Sequence, residues 1–221
     1  MAVESGVERC LTRIRSMVLS GELLPGQKVL QKDLADTLGV SRIPLREALA
    51  QLHAEGILDH RPNTGFTVGR FNSEDLVEIY LMRRLLETEL IRSAELALVD
   101  VDRMKELNKH LSTIDPLADP LGFQRVNKDF HFTAFEASPL ARVRDEVNRL
   151  WYMSGFYRAF IFYVDDRAES LYGEHAGLIA AIEDRDHERF VRLSDEHRHL
   201  TEMTVVRRLG RTRLPDSAQV V

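Results

Sequence analysis

The sequence predicts a mainly α-helical protein in two parts: a winged helix-turn-helix over residues 1–70 and an all-helical bundle over 73–209, followed by a flexible tail over 210–221. Three observations carry this. Apolar residues recur at helical spacing along almost the whole chain. The only strand-like stretch is a short hairpin pattern near residues 57–68. A glycine-containing turn joins two short helices just before that hairpin.

The first helix carries Val7, Cys10, Leu11, Ile14 and Val18 at helical spacing and ends near Ser20-Gly21. Leu24-Pro25-Gly26 reads as a turn. A second helix, about Gln31 to Leu38, puts Leu34, Ala35 and Leu38 on one face. Gly39 permits a left-handed corner. Ser41 is the expected N-cap of a third helix running to about Glu55, with Pro44 tolerated in its first turn. Its inner stripe is Leu45, Ala48, Leu49 and Leu52. Gly56 stops it. Ile57 to His60, a turn at Pro62-Asn63-Thr64-Gly65, and Phe66-Thr67-Val68 complete a hairpin.

Past a linker at 69–72, Ser73 is the expected cap of a long helix, with Glu74 and Asp75 suited to its positive end. Helices follow over roughly 74–98, 100–114, 119–137, 139–163, 166–184 and 186–209. Aspartates and prolines mark the breaks, as at Asp100, Asp119-Pro120 and Ser138-Pro139. The aromatic run Trp151, Tyr152, Phe156, Tyr157, Phe160 and Phe162 supplies core and dimer-packing surface.

Composition narrows the function classes. With one cysteine in 221 residues, neither a disulfide framework nor a cysteine metal cluster can form within the chain, which favours a reducing, cytoplasmic setting. The N-terminus has no secretory pattern, and the longest apolar run, Ala159 to Val164, is too short to span a bilayer. The net charge of −5 divides unevenly: +1 over residues 1–70 and −6 over the rest. A nucleic-acid role therefore depends on where the arginines lie, not on bulk charge.

The start of the third helix is where they lie. Its outward positions are Ser41, Arg42, Ile43 and Arg46, and the two arginines share one face. A recognition helix presents its N-terminal residues to the major groove, and arginine matches guanine O6 and N7 with two donors. Lys32 suits a phosphate contact. Gly65 at the wing tip lets backbone approach a duplex closely. As isolated residues, Arg42 and Arg46 would be solvated helix charges with Glu47 beside them; the order of helix, turn, helix and hairpin is what favours base reading.

In the second part, Asn127 and His131 lie four apart on one helix, with His175 and His197 on the last two. Three imidazoles and an oxygen drawn from three helices can enclose a divalent cation in a bundle core, although eight histidines in an acidic helical domain also arise as ordinary surface or core residues. Arg83 and Glu87 are one turn apart. By spacing alone they read as a helix-surface pair worth about 0.3–0.5 kcal/mol.

Leu24-Pro25-Gly26, residues 34–40, Ser41-Arg42-Ile43-Pro44-Leu45-Arg46-Glu47-Ala48-Leu49, Leu52, Glu55-Gly56 and Gly65-Phe66-Thr67-Val68 resemble the GntR family of bacterial regulators, from residue 5 to 70. Ile43 stands where a hydroxyl residue is commoner; both arginines are kept. The resemblance implies a dimer on an inverted-repeat operator in double-stranded DNA. Residues 73–205 resemble the FCD effector domain of the FadR subfamily, through Arg83 to Glu87, Asn127 to His131, Glu174-His175 with Ile179 to Ile182, and Asp186 followed by His197. That implies a metal held by Asn127, His131, His175 and His197, and a small carboxylate effector near Arg83. Zn²⁺ suits the imidazoles best, with Ni²⁺ or Mn²⁺ as alternatives. Asn127 stands where many relatives have Asp, so the ligand set is neutral. The competing class is a metal-dependent hydrolytic enzyme with an appended DNA-binding domain. No HExxH motif supports it, although Glu174 adjoins His175.

Overall fold

A computed structural model describes residues 5–19, 22–24, 26–62, 64–69, 73–116, 118–159 and 167–209. The linker at 70–72, Pro25, Asn63, Phe160, Phe162 and the tail at 210–221 lie outside the described residues, as does the side chain of Ser73. The chain divides into two compact units, residues 1–71 and 72–221.

The N-terminal unit is built on α1 (Gly6–Leu19), α2 (Gln31–Leu38) and α3 (Arg42–Ala54). Cys10, Ile14 and Val18 of α1 are fully buried, as are Ala48, Leu49 and Leu52 of α3, because each set lies at the spacing that makes one helical face. Arg15 reinforces the packing through a 2.6 Å ion pair with Glu55 at the end of α3. Gly39 closes α2 in the left-handed region, at φ 63°, a conformation that costs other L-residues energy.

The wing has one strand more than the hairpin pattern predicts. β2 (Leu58–Arg61) and β3 (Gly65–Val68) pair antiparallel, and β1 (Lys28–Val29) pairs with the other edge of β3. The order is β1-β3-β2. Two residues are too few to show the alternation by which a strand is read. β1 forms because the chain leaving the turn at Gly26 meets an open strand edge: Gly26 donates to Val68 O and Val68 donates to Gln27 O.

The regular elements described in the C-terminal unit are all helices: α4 (Ser73–Ser93), α5 (Val101–Leu111), α6 (Pro120–Phe135), α7 (Ala141–Ala159), α8 (Arg167–Glu183) and α9 (His187–Leu209). α4 packs on α7 and α9, α5 on α6 and α8, and α8 on α9. The expected helix over 74–98 stops at Ser93. The Ser93 hydroxyl donates back to the carbonyls of Glu89 and Leu90, the Glu95 amide turns to Ala137 O, and a 3₁₀ turn covers Leu96–Leu98. Asp100 and Asp119 cap α5 and α6, each accepting from the amide three residues on. Among the described residues, no helix is long and apolar enough to cross a membrane.

Candidate functional site

The outward face of α3 is open. Ser41, Arg42, Ile43 and Arg46 are exposed, and Ile43 is 72% accessible. Ser41 occupies the N-cap position with extended backbone, but its hydroxyl makes no capping hydrogen bond. Neither Arg42 nor Arg46 forms an ion pair with a described residue, Glu47 included. Lys32 is exposed in the first turn of α2. Gly65 opens β3 with φ 89°, backbone that a side chain would strain, at the tip of the wing. All six candidate residues thus sit on exposed or half-exposed surface of one small unit.

The C-terminal unit presents the opposite situation: polar groups held inside. His131 on α6, His175 on α8 and His197 on α9 are buried, and one nitrogen from each lies within 4.8 Å of the others. The rings contact one another at centroid separations of 5.0–5.1 Å. Phe130 stacks on His175 at 3.9 Å and Trp151 lies 5.0 Å from His131. Asn127, one turn before His131, is buried as well. His199 points outward and lies 3.8 Å from Glu202.

Partners on the outer sides orient two of the rings. His175 Nδ1 meets Asn108 Oδ1 at 3.1 Å, and His197 Nδ1 meets Glu174 Oε2 at 2.6 Å. In both rings this leaves Nε2 as the nitrogen for a metal, with the tautomer set from behind. Asn127 Oδ1 and His131 Nε2 are buried and make no hydrogen bond. Buried polar atoms are normally satisfied, so an acceptor and a ring nitrogen without hydrogen bonds, one turn apart, suit a pair of ligand atoms for one cation. Burial first, then the neighbouring imidazoles and the Arg83 and Arg158 guanidinium groups, hold the His131 pKa well below the usual histidine range. That direction favours the neutral form, which a metal requires.

Beside the imidazoles lies a cavity of about 20 Å³, lined in part by Arg83, Glu87, His131, Trp151, His197 and Arg198. Arg83 is 3% exposed, so it belongs to no surface pair. Its Nε donates to Glu87 Oε1 at 2.7 Å and its Nη1 to Ser154 Oγ at 3.0 Å. Glu87 also accepts from Trp151 Nε1 at 2.8 Å and Arg198 Nε at 2.9 Å. Burial pushes the Glu87 carboxyl up; Arg83 and Arg198 outweigh that and bring it down to about 2.

Sequence reasoning passed over Asn108, Ser154, Arg158 and Arg198, and read Glu174 only as a neighbour of His175. A signal was present. Arg83 and Glu87 fall on the buried stripe Leu76, Ile79, Tyr80, Leu90 and Ile91 of α4, and Ser154 and Arg158 on the stripe of Val147, Leu150 and Trp151 in α7. Charged residues at inward helical positions mark an interior polar site.

An exposed helix-turn-helix with a wing, followed by a helical domain that encloses a polar pocket, defines the class of two-domain DNA-binding regulators. The sequence matches the gntR family of bacterial regulatory proteins over residues 7–68 and the FCD domain over residues 78–200. The chain belongs to the GntR family of transcription regulators, in the branch that carries an FCD domain. It is 29% identical to the HTH-type transcriptional regulator McbR of Escherichia coli over 174 residues, 76% of this chain and 78% of that one. It is 25% identical to the regulator YdhC of Bacillus subtilis over 182 residues, 80% of each chain. The solved structures of E. coli McbR and of a GntR-type regulator from a Rhodococcus species share the fold. Their TM-scores are 0.70 and 0.68 at 20% and 23% identity, covering 93% and 94% of this chain and 99% of each of theirs.

Proposed function

We propose that this regulator binds an inverted-repeat operator as a homodimer, and that a small organic acid bound at a metal site in the C-terminal domain controls its operator affinity. The carrying observation is the convergence of three buried imidazoles on one point, with the Asn127 oxygen and His131 Nε2 orphaned beside it. Asn127, His131, His175 and His197 would hold the cation; three nitrogens and an amide oxygen suit Zn²⁺, with Ni²⁺ or Mn²⁺ next. A bound divalent cation supplies positive charge and an open coordination position for a carboxylate.

Recognition of DNA is assigned to Arg42 and Arg46 as base readers, with Ser41, Ile43, Lys32 and the Gly65 backbone alongside. An exposed apolar stripe on α4, Val77, Leu81 and Leu85, supports association of two copies, and light scattering reads that directly. The reading is a non-enzymatic one: Glu174, the nearest candidate for a general base, spends an oxygen on His197 and serves orientation instead.

The cavity has room for about one water, so an acid enters only as the lining side chains move. A ligand shifts DNA affinity to the extent that it favours that altered packing. Metal analysis and calorimetry on wild type, His175→Ala and Asn127→Asp test the reading. Expected are one cation per chain in wild type, loss of metal and acid binding in His175→Ala, and tighter metal with weaker acid in Asn127→Asp, where the added carboxylate offsets the cation's charge. Absence of metal after reconstitution, or acid affinity indifferent to His175→Ala, overturns it.

A further inference from the structure

We infer that Tyr80, Arg83 and Arg158 form a second anion subsite beside the histidine cluster, so that the ligand of this domain carries two acidic groups. The inference rests on the proposed acid-binding role and adds to it the class of acid.

Buried charge in this region is unbalanced among the described residues. Three guanidinium groups are buried in this region: Arg83, Arg158 and Arg198, each 3–4% exposed. Arg83 is met by Glu87, and Arg198 by Glu87 and Asp195. Arg158 has only neutral acceptors among the described residues: its Nε donates to Gln124 Oε1 at 3.0 Å and its Nη1 to Ser154 Oγ at 3.2 Å. Ser154 Oγ already receives Arg83 Nη1 and gives its own proton to Leu150 O. Two cationic side chains therefore converge on one neutral hydroxyl, both against Trp151, with guanidinium carbons 4.2 and 4.5 Å from its ring centroid. A buried charge without a counter-ion is disfavoured. Burial and the Arg83 charge accordingly lower the Arg158 pKa to about 10, which leaves it charged at neutral pH.

A second observation is independent of charge. The hydroxyl of Tyr80, a residue 1% exposed, is buried and makes no hydrogen bond. Its ring centroid lies 5.0 Å from the Arg83 guanidinium carbon, and Arg158 lies beside the oxygen as a loose donor, while the hydroxyl proton itself goes to no described acceptor. An O–H whose proton is unused, a cation that no described carboxylate bonds directly and a second guanidinium thus occupy one neighbourhood. An anionic oxygen there would accept charge-assisted bonds from Arg158 and Tyr80 at once. Arg83, already neutralised by Glu87, positions the others more than it grips. The neighbourhood lies on the Trp151 side of His131, whose ring is 5.0 Å from that indole. One acidic group at the imidazoles and another at Arg158 and Tyr80 describes a dicarboxylate or a phosphorylated carboxylic acid.

Calorimetry on the metal-loaded full-length protein tests this with matched probes: butyrate against succinate, valerate against glutarate, and phosphoglycolate. The expected result is a diacid preferred over its matched monoacid by at least about tenfold. Arg158→Gln and Tyr80→Phe should each reduce that ratio while leaving monoacid affinity in place. Tyr80→Phe removes a hydroxyl whose proton is unused, so it should leave the unliganded melting temperature nearly unchanged; it carries the test alone if Arg158→Gln does not fold. A preference for succinate or glutarate identifies a dicarboxylate, and a preference for phosphoglycolate a phosphorylated acid. Equal affinity for monoacid and diacid, or a ratio unmoved in either folded variant, overturns the subsite while leaving acid binding intact. Binding of no acid at all overturns the acid-binding reading, and this inference with it.

Discussion

Glu87→Gln is the sharpest probe of the C-terminal interior, because the same helix offers its own control. Glu87 is 3% exposed and accepts three hydrogen bonds, from Arg83, Trp151 and Arg198. Gln keeps the shape and one acceptor oxygen. Its NH₂ replaces the other oxygen and faces an arginine N–H, and both guanidinium groups lose their shared anion. Removing one partner of a buried ion pair costs about 3–5 kcal/mol. For a unit of this size, at about 2–4 °C per kcal/mol, melting should fall by on the order of 6–20 °C. On the same helix, Glu89 pairs with Arg92 at 2.9 Å, with both side chains more than half exposed. Such a pair contributes about 0–1 kcal/mol, so Glu89→Gln should shift melting by no more than a few degrees. Thermal unfolding followed by circular dichroism at neutral pH compares the two. Equal, small shifts would refute the claim that Arg83 and Glu87 form an interior pair, and would return them to the surface-pair reading.

The same carboxylate predicts an acid dependence. Its folded pKa, about 2, lies below the ordinary 4.5, so its contribution is present above about pH 4.5 and lost as pH falls towards 2. The stability gap between wild type and Glu87→Gln should be flat near neutrality and close over that window in acid titrations; a gap that widens would show the sign to be wrong. In the N-terminal unit, Arg42→Ala and Arg46→Ala should each cost about 1–3 kcal/mol of discrimination at an operator guanine, measured by fluorescence anisotropy, with circular dichroism unchanged. Unaltered sequence preference in both would remove them as base readers. Glu55→Gln breaks the 2.6 Å pair with Arg15 and should lower stability by about 1.5–3 kcal/mol in denaturant titrations; a neutral result would place the pair among weak surface contacts.

Much of this protein is local in origin, and that part was legible in the sequence. Leu45, Ala48, Leu49 and Leu52 specify the buried face of α3 by spacing alone. Gly39, Asp100 and Asp119 end or start helices through backbone conformation and caps that involve only near neighbours. The open face carrying Arg42 and Arg46 follows from the same periodicity, since what is not on the apolar stripe faces solvent. His131, His175 and His197 were readable as a set, but their meeting was not: residues 44 and 22 positions apart converge only because α6, α8 and α9 pack together. β1 was silent for a similar reason. Lys28 and Val29 become a strand only where the edge of β3 offers them hydrogen bonds.

The inward helical positions of Arg83 and Glu87 hinted at charge inside the bundle, but its partners and its energy were decided by tertiary structure. The one-turn spacing of Arg83 and Glu87 is the same in a solvated and a buried pair, and the energy differs by about tenfold between the two. Arg198, Trp151 and Ser154, contributed by α9 and α7, exclude water from the pair and complete its hydrogen bonds. The energy of an ion pair is set by the dielectric and the other donors around it, and those come from residues distant in the chain.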